Sequence, residues 1–138
     1  MHAQFRSRRF GWWSLLVWLS LGIALELLHG CKLGWYLDAG NETRRLLLRL
    51  AHAHGVLLAM ANLVFASSLH DLPPTTPALL RAGLLLRWAA ILVPLGFLVG
   101  GWFAVGGDPG LAIVLVPIGA LCLFVAVLTA ARLASVPR

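Results

Sequence analysis

Four ionisable side chains lie inside or at the edges of long apolar stretches of the sequence. Glu26 and His29 lie near the end of the first stretch, and His52 and His54 lie near the start of the second. Ionisable groups are costly inside a membrane, and where they occur they mark ion, proton or cofactor sites by default. Their position therefore predicts a polar site within the apolar part of the protein.

The first chemistry that these residues support is binding of haem or of a transition metal, because neutral imidazole is the commonest metal ligand. His29, His52 and His54 are the candidate ligands, and Glu26 with His29 forms a Glu-x-x-His pair typical of metal-binding helix bundles. A di-metal carboxylate site needs more carboxylates than this sequence offers, whereas a b-type haem needs one or two histidines, an apolar slot and cations for its propionates. The candidate propionate partners are Lys32, Arg44, Arg45 and Arg49.

Helix geometry makes two predictions about this cluster. If the first two stretches form antiparallel helices with midpoints near Ser20 and Leu57, Glu26 and His52 lie within about 2 Å in depth, at about 1.5 Å rise per residue. His52 and His54 point about 200° apart at about 100° per residue. The two histidines therefore need different partners, and a second haem ligand would come from the first helix or from another copy.

Two other interpretations of the cluster remain open. Glu26 and His52 could together relay protons or bind a cationic or quinone-like ligand, as in a small transporter. Alternatively, Glu26 pairs with His52 or Arg49 and orients the first helix on the second, in a structural subunit of a larger complex. Asn62, deep in the second stretch, is expected to hydrogen-bond between helices rather than to bind a ligand.

The elements that must position these residues are four apolar segments. The 138-residue chain is 60% hydrophobic and 12% charged, with a mean hydropathy of +0.88, whereas soluble domains carry roughly 25% charged residues. Each segment has at least the roughly 20 residues that a helix needs to cross a bilayer. The sequence predicts an all-α polytopic membrane protein, a single domain over residues 1–138. Its four transmembrane helices form a bundle and span residues 10–30, 45–69, 81–105 and 110–134.

Basic residues predict the orientation of this bundle. They lie at the ends of the apolar segments, so the net charge of +6 indicates the positive-inside rule rather than nucleic-acid binding. With both termini in the cytoplasm, the inner cations are Arg6, Arg8, Arg9, Arg81, Arg87, Arg132 and Arg138, and the outer ones are Lys32, Arg44, Arg45 and Arg49. The outer acids are Asp38, Glu42 and Asp108, and the inner one is Asp71. We expect a bacterial cytoplasmic (inner) membrane protein whose polar cluster lies in the outer half of the bilayer.

A short repeat links the third and fourth segments. Leu-Val-Pro-Leu-Gly ends at Gly96, and Leu-Val-Pro-Ile-Gly ends at Gly119. Antiparallel neighbours place Pro94 and Pro117 at similar depth, where the two kinks either open a gap for a ligand or allow close packing. Gly96 and Gly100 form a GxxxG motif, which favours packing within the chain or between copies. Because the short loops enclose little volume, a homo-oligomer or partner membrane subunits are expected.

Motifs of soluble enzymes are absent from the sequence. It contains no phosphate-binding loop, no HExxH and no nucleophile elbow, so no catalytic residue is assigned and a non-enzymatic role is favoured. Arg8-Arg9, the following apolar stretch and Cys31 are loosely similar to a lipoprotein signal. The length of the stretch and Glu26 within it favour a retained first helix instead. Cys31 and Cys122 lie at different depths, so no disulfide is expected between them.

Overall fold

The computed structural model describes residues 2–68 and 76–135. Within these ranges the chain is helical apart from short connections, and it contains no strand. The connection predicted at residues 70–77, with Asp71, falls almost entirely outside the described residues, and so does Arg138. The prediction of an all-α protein is confirmed for the described chain.

The described ranges contain four long helices and three short helical segments. The α-helices are α1 (His2–Gly30), α2 (Gly34–Leu37), α3 (Glu42–Ser68), α4 (Pro77–Trp102) and α5 (Leu115–Ala134), and the 3-10 helices are Ala39–Asn41 and Leu111–Val114. The helices α1, α3, α4 and α5, the last taken with its 3-10 turn, are long and apolar enough to cross a membrane. Together they indicate an integral membrane protein.

The first helix begins earlier than hydropathy predicts. α1 starts at His2 rather than near residue 10, so the basic residues that precede the apolar stretch are helical. Arginine is a good helix former, and no glycine or proline interrupts this segment before Gly11. Hydropathy marks where a helix becomes apolar, not where it begins. The middle of α1 consequently lies closer to the N-terminus than the middle of its apolar stretch.

The start of α4 and the turn that follows it are determined by local sequence signals. Thr76 caps α4, because its Oγ1 accepts a hydrogen bond from the Leu79 amide at 3.3 Å, and Pro77 occupies the first helical position. Between α4 and α5 the chain reverses at Val105–Asp108, where Gly106 and Gly107 take φ of +58° and +86°. These positive angles suit glycine, which has no Cβ to clash.

The long helices pack in the order in which they occur in the chain. α1 packs on α3, α3 on α4 and α4 on α5, while α1 and α4 approach each other at fewer positions. Buried residues make up 44% of the most apolar stretch of α4 but only 11% of that of α5, so α4 is central and α5 is peripheral. We call the end of the bundle with residues 31–41 and 103–110 the Trp35 end, and the opposite end the N-terminal end.

Glycines set the register of α1 against α3. Each of three glycines faces a large side chain of the other helix, in the pairs Gly11–Leu63, Gly55–Trp18 and Gly22–His52. A Cβ on Gly11 would lie 2.7 Å from Cδ2 of Leu63, and a Cβ on Gly22 or Gly55 would overlap the ring that faces it. Because only glycine leaves this space, sliding the helices by one turn would bring large residues into collision.

The repeat in α4 and α5 forms a reciprocal contact. A Cβ on Gly96 would lie 2.9 Å from Cγ2 of Val116, and a Cβ on Gly119 would lie 2.7 Å from Cγ2 of Val93. The glycine of each copy therefore packs on the valine of the other. Of the two interpretations of the repeat, close packing within the chain is confirmed, and these side chains fill the space where a gap was considered.

Asn62 bridges α3 and α4 as predicted. Its side chain is fully buried, and Nδ2 donates to the Leu58 carbonyl at 2.9 Å within α3 and to the Leu86 carbonyl at 3.4 Å in α4. Its Oδ1 has no partner among the described residues. These two hydrogen bonds account for the amide nitrogen of Asn62.

Candidate functional site

A groove of about 500 Å³ lies between α1 and α3 and is open on one side. Its walls are apolar along α1, and its polar groups come from α1, α2 and α3. The lining residues are Leu19, Gly22, Ile23, Leu25, Glu26, Leu27, Tyr36, Arg49 and His52. The structure thus brings three of the predicted site residues, Glu26, Arg49 and His52, to one surface. We call it the His52 groove.

The ring of His52 is held in one orientation. Its Nδ1 lies 2.8 Å from the backbone carbonyl oxygen of Trp18, and the edge of the ring between its two nitrogens rests on Gly22. A carbonyl only accepts, so Nδ1 carries a proton, and in the neutral form of the ring the lone pair is on Nε2. Nε2 has no hydrogen-bond partner among the described residues. This arrangement is typical of histidines that bind metals.

Glu26 lies one helical turn beyond Gly22, towards the Trp35 end. Its side chain is exposed and forms no ion pair with His52 or Arg49 in the part of the chain that the structure describes. The His52 ring packs beside Gly22 and Trp18 rather than beside Glu26. Glu26 and His52 were expected at the same depth in the bundle, but in the structure their depths differ by about one helical turn. The expectation took Ser20 as the midpoint of the first helix, whereas α1 begins at His2 and its midpoint lies nearer the N-terminus.

His54 faces away from the His52 groove. Its Nδ1 lies 2.9 Å from the Leu50 carbonyl oxygen one turn back in α3, and its ring centroid lies 5.0 Å from that of Phe97 in α4. The prediction that the two histidines of α3 point to different neighbours is confirmed. One copy of the chain therefore does not present His52 and His54 to a single ion.

Two further residues predicted for the site, His29 and Arg45, do not line the groove. His29 is exposed and contacts the ring of Tyr36 edge-on, with 6.4 Å between the ring centroids. Arg45 does not line the groove and pairs with Glu42 at 3.8 Å. Within residues 2–68 and 76–135, no three His, Cys, Asp or Glu side chains lie close enough together to hold a metal ion.

Tyr36 is a groove residue that does not belong to the predicted ionisable cluster. It is only 2% exposed and packs with Leu25 and Leu48. α1 ends in a Schellman motif, in which Lys32 takes φ of +53° and the Leu33 amide donates to the Leu28 carbonyl at 3.1 Å. This reversal turns α2 back over the bundle. The sequence signal for this turn is weak, because the residue with the left-handed backbone conformation is lysine rather than glycine.

Arg44 has a structural role at the Trp35 end. Its guanidinium donates to the backbone carbonyls of Trp35 and Ala104, each at 3.0 Å, and lies 4.8 Å from the centroid of the Trp35 ring. Asn41 donates to the same Ala104 carbonyl at 2.8 Å. These bonds join the connection after α1 to the turn after α4. Arg44 was expected among the partners for haem propionates; in the structure these contacts use NH1 and NH2, while Nε is buried without a partner among the described residues.

No family model, curated protein or solved structure is significantly similar to this chain. The features of this chain that bear on function are the chemistry of the His52 groove and its place among helices long enough to cross a membrane.

Proposed function

We propose that the protein is an integral membrane subunit that binds haem or a transition-metal ion in the His52 groove, with Nε2 of His52 as a ligand. The 2.8 Å contact between Nδ1 of His52 and the Trp18 carbonyl carries this proposal. A hydrogen bond at one ring nitrogen fixes the tautomer and the orientation of the ring, and the other nitrogen keeps a lone pair with which to bind a metal.

The other groove residues suit the same ligand. Glu26 and Arg49 supply one negative and one positive group beside His52, and Leu19, Ile23 and Leu27 supply apolar surface for a porphyrin ring. Arg49 would neutralise a haem propionate, and Glu26 would bind a metal ion together with His52. A second histidine ligand for haem would come from another copy, which links binding to the expected homo-oligomer or partner subunit.

The orientation with both termini in the cytoplasm belongs to this proposal. Seven of the eleven Lys and Arg residues lie on the N-terminal side of the bundle by sequence position, and cations concentrate on the cytoplasmic side of membranes. The His52 groove would then lie in the outer half of a bacterial cytoplasmic membrane.

The test is a cofactor titration on the purified protein and two histidine variants. Protein in mild detergent is analysed for metals and titrated with haemin, and visible spectra are recorded oxidised and after dithionite. We expect a Soret band with sharpened reduced bands, or about one metal ion per binding site. The His52→Ala substitution should abolish this binding. His54→Ala is the matched control, because it makes the same change two residues away on the side facing α4.

Three outcomes would contradict the proposal. They are wild-type protein that stays colourless and metal-free after titration, a His52→Ala variant that still binds, and equal loss of binding in His54→Ala.

A second candidate function is proton-linked binding of a cationic ligand by Glu26 and His52. The two side chains line one groove without forming an ion pair, which leaves room for a ligand between them. In proteoliposomes, pH-dependent uptake of a cationic substrate should be lost in Glu26→Gln and kept in Glu42→Gln, which alters an exposed carboxylate outside the groove. Equal uptake by wild type and Glu26→Gln would exclude this function.

A further inference from the structure

A second groove lies at the N-terminal end of the bundle and contains two arginines. Arg87 is the eleventh residue of α4 and lies within the apolar stretch of that helix. A guanidinium there is costly unless it extends towards the membrane surface or meets a polar partner. It does meet one, because its NH1 donates to the hydroxyl of Ser7 at 3.2 Å, and Ser7 is only 1% exposed.

Arg6 brings a second positive charge to the same place. Arg6, Ser7 and Arg87 line an open groove of about 530 Å³ whose other walls include Phe65, Leu80 and Leu84. We call it the Arg87 groove. Among the described residues no carboxylate forms an ion pair with either arginine, since the one such pair joins Arg45 to Glu42. Two guanidinium groups in one groove repel each other, so an anion between them would be stabilised by both.

We propose that the Arg87 groove binds the phosphate of an anionic phospholipid. The planar guanidinium matches phosphate geometry through paired hydrogen bonds, and the Ser7 hydroxyl is a further polar group beside it. Leu80 and Leu84 are exposed apolar residues next to these donors, where an acyl chain would lie. A free phosphate ion would use the charges but not this apolar wall.

The position of the groove agrees with a lipid ligand. It lies at the opposite end of the bundle from the His52 groove, near the start of α1, where a headgroup would meet the ends of membrane-spanning helices. The inference therefore does not depend on the proposed cofactor. It requires only that the four helices lie in a bilayer.

Lipid titration of the full chain tests the proposal. Delipidated protein in detergent is titrated with phosphatidylglycerol or with phosphatidylcholine, and bound lipid is counted by native mass spectrometry. Phosphatidylglycerol should bind more tightly, and Arg87→Gln and Arg6→Gln should each weaken it by about fivefold. Arg132→Gln is the matched control, because Arg132 is exposed at the same end of the bundle, in the last turn of α5, and does not line the groove.

Other results would overturn the proposal. Equal binding of the two lipids would remove the role of anionic charge. If Arg132→Gln weakened phosphatidylglycerol binding as much as the two groove variants do, the lipid would be attracted by the total positive charge of this end of the bundle rather than bound in the groove. Inorganic phosphate that binds wild type with the same dependence on Arg6 and Arg87, while phosphatidylglycerol does not bind, would assign the groove to a free anion. Because Arg6 is exposed, Arg6→Gln keeps the test valid even if Arg87→Gln fails to fold.

Discussion

The three polar residues in the middle of α3 are satisfied in different ways. His54 and Asn62 each bond to a carbonyl one turn back in their own helix, while His52 bonds only to the Trp18 carbonyl of α1. A side-chain bond to a carbonyl of the same helix forms wherever that helix lies in the protein. A bond to another helix forms only when the two helices are in register. Asn62 adds a longer bond to the Leu86 carbonyl of α4, so of these three residues His52 is the one whose only side-chain hydrogen bond depends on the register of two helices.

Gly22 should control the orientation of the His52 ring. A Cβ at this position would overlap the imidazole, so we expect Gly22→Ala to displace the ring from the Trp18 carbonyl and to weaken haem or metal binding at least tenfold. That factor corresponds to about 1.4 kcal/mol. The measurement is the haemin or metal titration, with circular dichroism to verify the helices. Gly30→Ala is the control, because no atom lies within 4 Å of a Cβ there, and unchanged binding in Gly22→Ala would contradict the expected role of His52.

Asn62 should contribute modestly to stability. Asn62→Ala removes its hydrogen bond to α4 and leaves a small cavity in the core, so the free energy of unfolding should fall by about 1–2 kcal/mol. Unfolding in mixed micelles measures the change. Ser67→Ala, which removes an exposed hydroxyl bonded within α3, should alter stability by less than about 0.5 kcal/mol. An Asn62→Ala variant as stable as wild type would show that the bridge contributes nothing.

At the scale of elements, close approach of helices depends on glycine at defined positions. In α4 and α5 the two glycines of the repeat pack on each other's valines, as expected for antiparallel copies of one pattern. In α1 and α3 the glycines face larger partners, including Trp18 and His52. Helices in lipid gain little from apolar burial against each other, so the fit of small and large residues determines which surfaces meet.

Gly119→Ala should destabilise the contact of α4 with α5. Its Cβ would lie 2.9 Å from the backbone nitrogen of Val93, so the helices must separate. We expect a loss of about 1–3 kcal/mol in the free energy of unfolding, despite the better helix propensity of alanine. Val93→Ala in the same chain should restore only part of the loss, because it removes Cγ2 but not the backbone nitrogen. Full stability of Gly119→Ala would show that α5 is free to move away.

At the scale of the whole molecule, α5 is held mainly by α4 and exposes most of its surface. Buried residues are few in its most apolar stretch, and the large exposed ones include Leu121, Phe124 and Val127. In a bilayer such a surface faces lipid, so its exposure does not need a protein partner. The Trp35 end is held differently, since Arg44 and Asn41 join its two connections through backbone carbonyls.

Cysteine labelling should report how the molecule lies in the membrane. Cys31 is exposed at the Trp35 end, whereas Cys122 is half-buried within α5, and neither forms a disulfide. If both termini are cytoplasmic, a membrane-impermeant maleimide added to intact cells should modify wild type and not Cys31→Ser. Modification of Cys31 only after the membrane is opened would establish the opposite orientation.

The amino-acid sequence by itself determined the features that depend on one segment at a time. Hydropathy and length predict four long helices, and the 3.6-residue period predicts that His52 and His54 face different neighbours. The matched Pro-Gly repeats predict that α4 and α5 place these residues at similar depth. Each of these depends on propensity or periodicity, which the residues of a segment carry wherever the segment lies.

Only the tertiary structure decided which residues of different helices meet. The packing of Gly22 and Gly55 against His52 and Trp18 sets the register of α1 on α3, which brings the His52 ring to the Trp18 carbonyl rather than level with Glu26. The turn after α1 likewise brings Tyr36 into the core. Register depends on the joint shape of two surfaces, and shifting a helix by one turn changes every contact while leaving its hydropathy and period unchanged.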